Sequence, residues 1–371
     1  MRPLWPLVKL PRFAFLYCVL TLVGWAQAVV EPVRIAIVGL THDHVNGFLP
    51  ELLARKDVTL AGIVETDPAL IASIASQYHL EAAMFHPTLE ALRVTGAVQG
   101  VACFGSTFDH RSVVEQCAKF GIPVMVEKPL AVSLRDAQAI EAAAHRGGIQ
   151  VYVNYETTWY PGVHAAYDLV RRQNALGGLR KIVVHDGHSG PARICSPFFL
   201  AWLTDPVLNG GGAVMDFGCY GADLVTWLMD GQRPVSVVAV TQQLQPDVYP
   251  KVDDEATIVL TYPRAQAIIQ ASWNWPIGRK DMEIYGLTGA LRLPDRSSLF
   301  LRKPGDDHET LTTAPALAAP QAGSISHFCA IIRGQFKSTG LGSLETNVIV
   351  NEILDAAKES ARTGRRVDLV P

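Results

Sequence analysis

Short apolar runs alternate with amphipathic segments along the first part of the chain. Runs rich in β-branched residues predict strands at residues 32–40 (PVRIAIVGL), 58–64 and 100–104, and another strand that starts at Val124. Segments with helical spacing follow these strands at 45–53, 68–78, 111–120 and 133–146. This alternation predicts a parallel sheet that is covered by helices on both faces.

The pattern changes after Gln150. We predict a short strand at Val151–Asn154, a helix at 162–173, a strand at 180–186 and one helix from Ala213 to Leu228. Strands joined by short turns follow at 235–244, 255–262, 266–274, 281–286 and 290–293, before a last helix at Leu344–Thr363. The predicted fold is α/β, with an N-terminal Rossmann doubly wound parallel sheet (31–150). A C-terminal α+β domain with a largely antiparallel, open-faced sheet (151–371) follows.

The N-terminus has the composition of a Sec-type signal peptide. Three basic residues, Arg2, Lys9 and Arg12, precede an apolar run, which is followed by Ala26-Gln27-Ala28. The run is shorter than the ~20 residues of a membrane span, so we predict that residues 1–28 are removed. The mature protein is then expected to be periplasmic or secreted, without stable membrane association.

Bulk composition excludes some partners. The 371 residues carry a net charge of −3, and no basic cluster is present, so no nucleic-acid partner is expected. Five cysteines follow residue 28, without a C-x-x-C pair. Free thiols are therefore expected, and pairing of two of them stays open.

The first predicted strand ends in an incomplete dinucleotide fingerprint. Gly39 holds the first position of G-x-G-x-x-G, but Thr41 and His44 stand at the next two glycine positions. Glu65 ends the second strand, where a carboxylate binds the ribose hydroxyls of NAD and repels the 2′-phosphate of NADP. NAD is the predicted cofactor and NADP the alternative. The alternative is a purely structural role, in which an acidic residue of this segment caps the following helix. That role suits Asp67 better than Glu65.

His42 and His44 form an H-x-H pair that would suit a metal ion. No third ligand is identifiable in the sequence, so no metal is expected. We instead expect His42 to border the cofactor phosphates.

The strand at Val124 ends in Glu127-Lys128-Pro129. Ligands lie at the carboxyl ends of parallel strands, so Lys128 is expected to face a crevice, although a surface ion pair before a turn is the alternative. Farther along, Asp216 and Tyr220 are one helical turn apart and are expected to face the same way.

Glu127-Lys128-Pro129 and the stretch from Gly210 to Asp223 resemble the two signatures of the Gfo/Idh/MocA family of oxidoreductases. The resemblance extends over nearly the whole mature chain. It implies that Lys128 lies beside the nicotinamide and that Tyr220, aided by Asp216, is the catalytic acid or base. The remaining candidates by resemblance are Ser106, Thr107, His110 and Glu127 for the cofactor, and Asn154, Trp159 and Asp223 for the substrate.

The chemistry agrees with an oxidoreductase. A tyrosine with a pKa near ~10 becomes a useful acid or base when an ammonium such as that of Lys128 lowers its pKa. We expect an NAD(P)-dependent enzyme that acts on a sugar, cyclitol or related polyol, and a homo-oligomer formed through the open sheet. Two alternatives stay open: a glycoside hydrolase or lyase with transient oxidation, and a cofactor-free carbohydrate-binding protein, which the missing glycines motivate.

Overall fold

The computed structural model describes Met1 and residues 31–369. Apart from Met1, the predicted signal peptide (1–28) lies outside the described residues. Among the helices of the described part, none has both the length and the apolar character that crossing a membrane requires. The five cysteines that follow residue 28 are free thiols, as predicted.

The first sheet is fully parallel. Its strands are β1 (Val33–Val38), β2 (Val58–Val64), β3 (Phe85–His86), β4 (Gly100–Cys103), β5 (Val124–Glu127) and β6 (Val151–Asn154). Their order is β3-β2-β1-β4-β5-β6, with neighbours in parallel register. The β-branched residues of the central strands are buried because both faces are covered. The predicted Rossmann sheet is confirmed, and β6, which begins just after residue 150, is its edge strand.

The helices of this part are α1 (Val45–Ala54), α2 (Pro68–Tyr78), α3 (Leu89–Thr95), α4 (Asp109–Lys119) and α5 (Leu134–Gly147). Helices α2 and α5 each begin with a side-chain cap, and the cap at Asp67 is the one that the sequence favours. The Asp67 carboxylate accepts from two backbone N–H groups of α2, and the Ser133 hydroxyl accepts from the backbone N–H of Asp136 in α5. These caps fix where each helix leaves its loop at the edge of the sheet.

The second sheet is mixed and mostly antiparallel. Its strands are β7 (Leu179–Gly187), β8 (Ser236–Gln242), β9 (Glu255–Thr261), β10 (Gln266–Ser272), β11 (Arg279–Gly286), β12 (Ala290–Leu293), β13 (Ser298–Arg302), β14 (Thr310–Thr313) and β15 (Val367–Asp368). Their order is β14-β13-β12-β11-β7-β10-β9-β8-β15, and the described strands pair antiparallel except for β7 with β10. The largely antiparallel prediction is confirmed.

The helices of this second part cover one face of that sheet and return to the first. They are α6 (Pro161–Tyr167), α7 (Pro197–Leu203), α8 (Ala213–Asp216), α9 (Gly218–Leu228), α10 (Ser324–Ile332) and α11 (Leu344–Thr363). Gly221 lets α9 lie directly on β10, since a Cβ there would overlap the Ile269 side chain. Phe328 of α10 packs against Gly100 of the first sheet, so the chain returns to the first sheet after the strands of the second.

The helix predicted from Ala213 to Leu228 is wrong in one respect, because it is two helices that meet at Phe217. The carbonyl of Asp216 accepts from Lys128 Nζ at 3.2 Å and from the Cys219 thiol, whereas the backbone N–H of Tyr220 bonds to Phe217. The helix therefore breaks where the Lys128 ammonium, instead of a backbone N–H of the same helix, donates to the Asp216 carbonyl. The predicted helix at 162–173 is likewise α6 followed by a π-helical turn at Asp168–Arg172.

Candidate active site

Lys128 and Asp216 form a buried ion pair at the contact between the two sheets. Lys128 follows the last residue of β5, and Asp216 is the last residue of α8. The ammonium of Lys128 pairs with one carboxylate oxygen of Asp216, and the indole N–H of Trp273 donates to the other at 2.8 Å. The two charged side chains are about 5% exposed. Both charges therefore have partners in a region that water barely reaches.

The two groups hold each other in the charged form. Burial by itself would lower the pKa of Lys128, but the charge and hydrogen bond of Asp216 raise it above its ordinary value. Burial would raise the pKa of Asp216, and the Lys128 charge outweighs burial and lowers it. The pair therefore stays ionised around neutral pH, with its cation fixed in direction toward α8.

Tyr220 lies beside this pair, and its ring is close to two ammonium groups. The Nζ atom of Lys128 is 5.2 Å from the ring centroid and that of Lys280 is 4.6 Å from it. The expectation that Lys128 lowers the pKa of Tyr220 is wrong. Burial, with the Glu156 carboxylate next in importance, raises the pKa of Tyr220 well above its usual value. The Lys128 ammonium is directed at Asp216 instead, so Tyr220 is a neutral phenol.

Sequence reasoning missed a second set of charged groups around Tyr220. In the register of β7 with β11, Asp186 stands opposite Lys280, and Lys280 forms an ion pair with Glu156. Both carboxyl oxygens of Asp186 are buried without a hydrogen-bond partner in the described part of the chain. Burial raises the pKa of Asp186 well above the ordinary range, even though Lys280 opposes the shift. Burial therefore favours the protonated form of Asp186, which lies close to Lys280 and Glu156.

One signal in the sequence does point to Asp186. Along β7, Ile182, Val184 and Asp186 alternate with half-buried residues, so these three side chains share the inward face. An acidic residue in phase with the apolar positions of a strand is an exception to binary patterning. Such exceptions mark functional positions, but the identity of its neighbours, Lys280 and Glu156, requires the tertiary structure.

Glu127, the neighbour of Lys128, points into a different network. Its carboxylate is fully buried and lies 2.9 Å from Nδ1 of His44, and it accepts from the Asn154 amide at 2.8 Å. The Trp159 indole N–H donates to the Asn154 carbonyl at 3.2 Å. Burial would raise the pKa of Glu127, but the two nearby histidines and these hydrogen bonds lower it to about 2. The structure thus brings together two predicted substrate residues, Asn154 and Trp159, and a predicted cofactor residue, Glu127.

The turn after β1 suits a dinucleotide. Gly39 has φ +79°, and a Cβ on it would come within 2.6 Å of the backbone nitrogen of Gly105. A cavity of about 620 Å³ opens at the carboxyl ends of β1, β2 and β4, and Gly39, Gly105 and Asp109 are among its lining residues. The residues present fit a dinucleotide, because the two glycines leave space that side chains would otherwise fill.

Glu65 ends β2 as predicted, but its oxygens are engaged by backbone groups. They accept from the N–H groups of Leu40 at 3.0 Å, Thr66 at 2.7 Å and Asp67 at 3.0 Å. Glu65 therefore ties the glycine turn to the end of β2. Because a carboxylate has about four acceptor sites, capacity for a ribose hydroxyl remains.

The other predicted cofactor residues hold the loop that follows β4. The Ser106 hydroxyl donates to Asp109 at 2.7 Å, and the Thr107 hydroxyl donates to Asn209 at 3.1 Å. Nδ1 of His110 lies 3.2 Å from the Leu130 carbonyl, and burial lowers the pKa of this histidine. All three side chains are buried. Ser106 bonds to Asp109, which lines the cavity, whereas Thr107 bonds to the Asn209 side chain and His110 lies against the backbone of Leu130.

The remaining predicted site residues are Thr41, His42 and Asp223. The carbonyl of Thr41 is 3.4 Å from the Trp202 indole nitrogen, at the contact between the glycine turn and α7. The ring of His42 is buried against Phe199 with 4.4 Å between centroids. Asp223 is buried one helical turn after Tyr220 on α9, and its carboxyl group accepts from the backbone N–H of Gly342 at 3.3 Å.

A parallel Rossmann sheet, a glycine turn at its edge and a buried charged cluster against a second sheet are the architecture of an NAD-binding oxidoreductase. Residues 33–155 match a family model described as the oxidoreductase family with an NAD-binding Rossmann fold. Residues 163–292 match the model of the GFO/IDH/MocA C-terminal domain. The chain belongs to the GFO/IDH/MocA family.

Individual relatives are distant in sequence. A trans-1,2-dihydrobenzene-1,2-diol dehydrogenase of Xenopus laevis is 26% identical over 185 residues, which are 50% of this chain and 52% of that protein. The chain thus spans about half the length of that curated relative. A D-apiose dehydrogenase of Rhizobium rhizogenes is 25% identical over 86% of this chain and 93% of that protein.

Solved structures share the fold. An aldose-aldose oxidoreductase from Caulobacter crescentus aligns with a TM-score of 0.77 at 23% identity, covering 91% of this chain and 100% of that one. An inositol dehydrogenase homolog from Azotobacter vinelandii, complexed with NAD+, aligns with a TM-score of 0.79 at 17% identity, covering 92% and 98%. At these identities the likeness supports the architecture described above.

Proposed function

We propose that this protein transfers a hydride between a nicotinamide cofactor and a carbinol carbon of a sugar, cyclitol or related polyol. The observation that supports this most directly is the buried cluster of Lys128, Asp216 and Tyr220, which lies at the end of β5 and against the second sheet. When bound, the cofactor accepts or gives the hydride. The proton that accompanies it must be handled by side chains of this chain.

Tyr220 is the proposed proton donor. Burial raises the pKa of its hydroxyl, so the neutral phenol is the form present near pH 7. A neutral phenol gives a proton to an alkoxide that develops when a carbonyl is reduced, and this direction of the pKa favours reduction. Lys128 then acts as a fixed positive charge that stabilises the developing negative oxygen, held in place by Asp216.

The cofactor would be bound by the turn after β1 and by the ends of the neighbouring strands. Gly39 and Gly105 leave the backbone free for a close approach of the pyrophosphate. Glu65 at the end of β2 favours NAD over NADP because its carboxylate repels a 2′-phosphate. Ser106 and Glu127 border the same edge of the sheet.

The second charged set would bind the substrate. Lys280 and Glu156 offer a donor and an acceptor, and the unpartnered carboxyl group of Asp186 can act as both while it is protonated. Lys128 and Lys280 are each paired with a carboxylate, so neither has an uncompensated charge with which to bind a charged ligand. This favours a neutral substrate with several hydroxyl groups over a carboxylate or a phosphate.

The first test is mass spectrometry of a denatured extract of the purified protein, followed by turnover assays on a panel of sugars and polyols. We expect a nicotinamide dinucleotide near one per chain, and a loss of about 10²–10⁴-fold in kcat for Tyr220→Phe. Tyr78→Phe, which changes a tyrosine far from the site, serves as the control. A Tyr220→Phe enzyme with unchanged kcat would remove Tyr220 from the mechanism. If no dinucleotide is bound even after NAD or NADP is added, the redox proposal fails, and the alternative of a cofactor-free carbohydrate-binding protein is favoured.

A second candidate function is that of a glycoside hydrolase or lyase, which cleaves its substrate while one carbon of the sugar is transiently oxidised. The protonated Asp186 favours it, since such a reaction needs an additional acid for the leaving group. An aryl glycoside separates the two functions. Release of the phenol with no net change in NADH absorbance would identify the second one.

We also propose that the protein is exported and loses residues 1–28. The basic segment, the apolar run and the Ala26-Gln27-Ala28 site support this. Expression of the full chain with its own N-terminus, followed by N-terminal sequencing of the exported protein, is the test. We expect the mature chain to begin at Val29, and a start at Met1 in the cytoplasm would contradict export.

Homo-oligomerisation through the second sheet is a further part of the proposal. The register of four strands aligns Val238, Val259, Ile268 and Val183 in one row on the face opposite α9 and α11. Val238 and Val240 of β8 are 41% and 61% exposed. Light scattering should detect a dimer or larger species, and Val240→Asp should shift it to the monomer. A monomer already in the parent protein would exclude this interface.

A further inference from the structure

The buried carboxylate of Glu127 faces two histidines. Oε2 of Glu127 lies 2.9 Å from Nδ1 of His44 and 3.9 Å from Nε2 of His42. One donor atom from each of these three residues lies within 4.8 Å of the others. The sequence offers only the H-x-H pair, because Glu127 follows His44 by 83 residues. The order of the strands brings the third donor to the turn after β1.

We propose that His42, His44 and Glu127 form a site for one divalent transition-metal ion of the zinc class. Two imidazoles and one carboxylate are a donor set that zinc takes in proteins, with positions left open for water or substrate. Donors at about 2.0–2.2 Å from a tetrahedral ion are roughly 3.3 Å apart. The two distances from Glu127, 2.9 and 3.9 Å, bracket that value, and the two histidine nitrogens lie within 4.8 Å of each other, so the side chains would draw together around the ion.

His42 supplies an independent sign of a missing ligand. Its side chain is 1% exposed, and Nε2 has no hydrogen-bond partner in the described part of the chain. The backbone N–H of His44 donates to Nδ1 at 3.2 Å, which leaves the ring hydrogen on Nε2, directed at nothing within hydrogen-bond reach. A cation at Nε2 would replace that hydrogen. The ring proton then moves to Nδ1, and the long contact to His44 opens.

The surroundings hold the donors in place and leave one side open. Asn154 donates to Oε1 of Glu127 and is itself fixed by Trp159, which leaves Oε2 to face the histidines. The ring of His42 is wedged against Phe199. The His44 side chain is 44% exposed, so solvent reaches the site from that side. Lys128 is not part of this site, since its ammonium pairs with Asp216.

The test uses the full mature chain without an affinity tag, freed of metal with a chelator and titrated with Co²⁺ or Zn²⁺. We expect one equivalent, seen as a visible Co²⁺ absorption band and as bound zinc by elemental analysis. His44→Ala and Glu127→Gln should abolish stoichiometric binding, and Asn154→Ala should weaken it about 10–100-fold. His308→Ala, at an exposed loop histidine, should bind as the parent does.

These variants separate coordination from folding, because His44 is partly exposed and Glu127→Gln keeps the side-chain shape. Circular dichroism and the dinucleotide content are measured on the same samples, both with and without added NAD. Binding that is unchanged in His44→Ala and Glu127→Gln would overturn the site. Absence of one equivalent in both the NAD-loaded and the NAD-free protein would overturn it as well. Loss of NAD with metal binding intact would count against the proposed function alone.

Discussion

Glu127 and Lys128 are adjacent in the chain, but their side chains enter two separate networks. Glu127 bonds to His44 and Asn154 on the side of the first sheet, whereas Lys128 pairs with Asp216 of α8. The alternation of side chains at the end of a strand produces this divergence. One strand end therefore supplies a charged side chain to each of the two networks.

Lys128→Ala should separate catalysis from cofactor binding. The variant removes the fixed positive charge beside Tyr220, and we expect kcat to fall by about 10²–10⁴-fold, the range seen when a group that stabilises developing charge is lost. The dinucleotide should stay bound, because no described contact of Lys128 reaches the turn at Gly39. Steady-state kinetics and mass spectrometry measure the two effects, with Lys303→Ala at an exposed position as the control. Unchanged turnover would refute the role of Lys128.

Asp216→Asn should destabilise the fold. It leaves the buried Lys128 ammonium without its anion, and loss of one member of a buried pair costs about 3–5 kcal/mol in the free energy of unfolding. Asp168→Asn is the matched control, since its pair with Arg172 is exposed and is worth about 0–1 kcal/mol. Urea unfolding compares them. If the free energy of unfolding falls by the same small amount in both variants, the Lys128–Asp216 pair contributes little to stability.

Asp223 should make stability depend on pH. Burial raises the pKa of its carboxyl from 3.8 to about 7 in the folded state. Between these values the folded protein holds a proton that the unfolded chain has released, so the contribution of this group to stability is most favourable below about pH 4 and falls as pH rises toward 7. The slope from this group is at most about 1.4 kcal/mol per pH unit.

The check is a series of urea unfolding curves from pH 4 to 8 on the parent protein and on Asp223→Asn. The variant cannot titrate at this position, so it should lose the corresponding fall in stability. Asp307→Asn, at an exposed loop position, should keep it. Identical pH profiles for the parent and Asp223→Asn would mean that the carboxyl group of Asp223 is not held neutral by burial.

Much of the fold follows from local patterns. The β-branched runs predict β1, β2, β4 and β5 because buried parallel strands have few other compositions. The last helix, α11, was predicted with the bounds that it has. The short strands β3, β13, β14 and β15 were missed, since two to five residues give no usable periodicity and depend on the pairing partner.

The site was predictable only in part. Lys128, Asp216 and Tyr220 lie in two contiguous motifs, and the structure does bring them together. Their electrostatics were not predictable, because the partner of Lys128 and the burial of Tyr220 arise from packing between distant segments. The same holds for the Glu127–His44 contact, whose members are far apart in the chain.

Asp186 provides the sharpest distinction between the two candidate functions. If its protonated carboxyl group hydrogen-bonds a substrate hydroxyl, Asp186→Leu should raise KM by about 5–150-fold, equivalent to about 1–3 kcal/mol, with kcat nearly unchanged. Asp186→Asn keeps a donor and an acceptor and should have a smaller effect. The unfolding free energy should not fall in Asp186→Leu, since both carboxyl oxygens lack partners. A fall in kcat at constant KM would instead show that Asp186 transfers a proton, as glycoside cleavage requires.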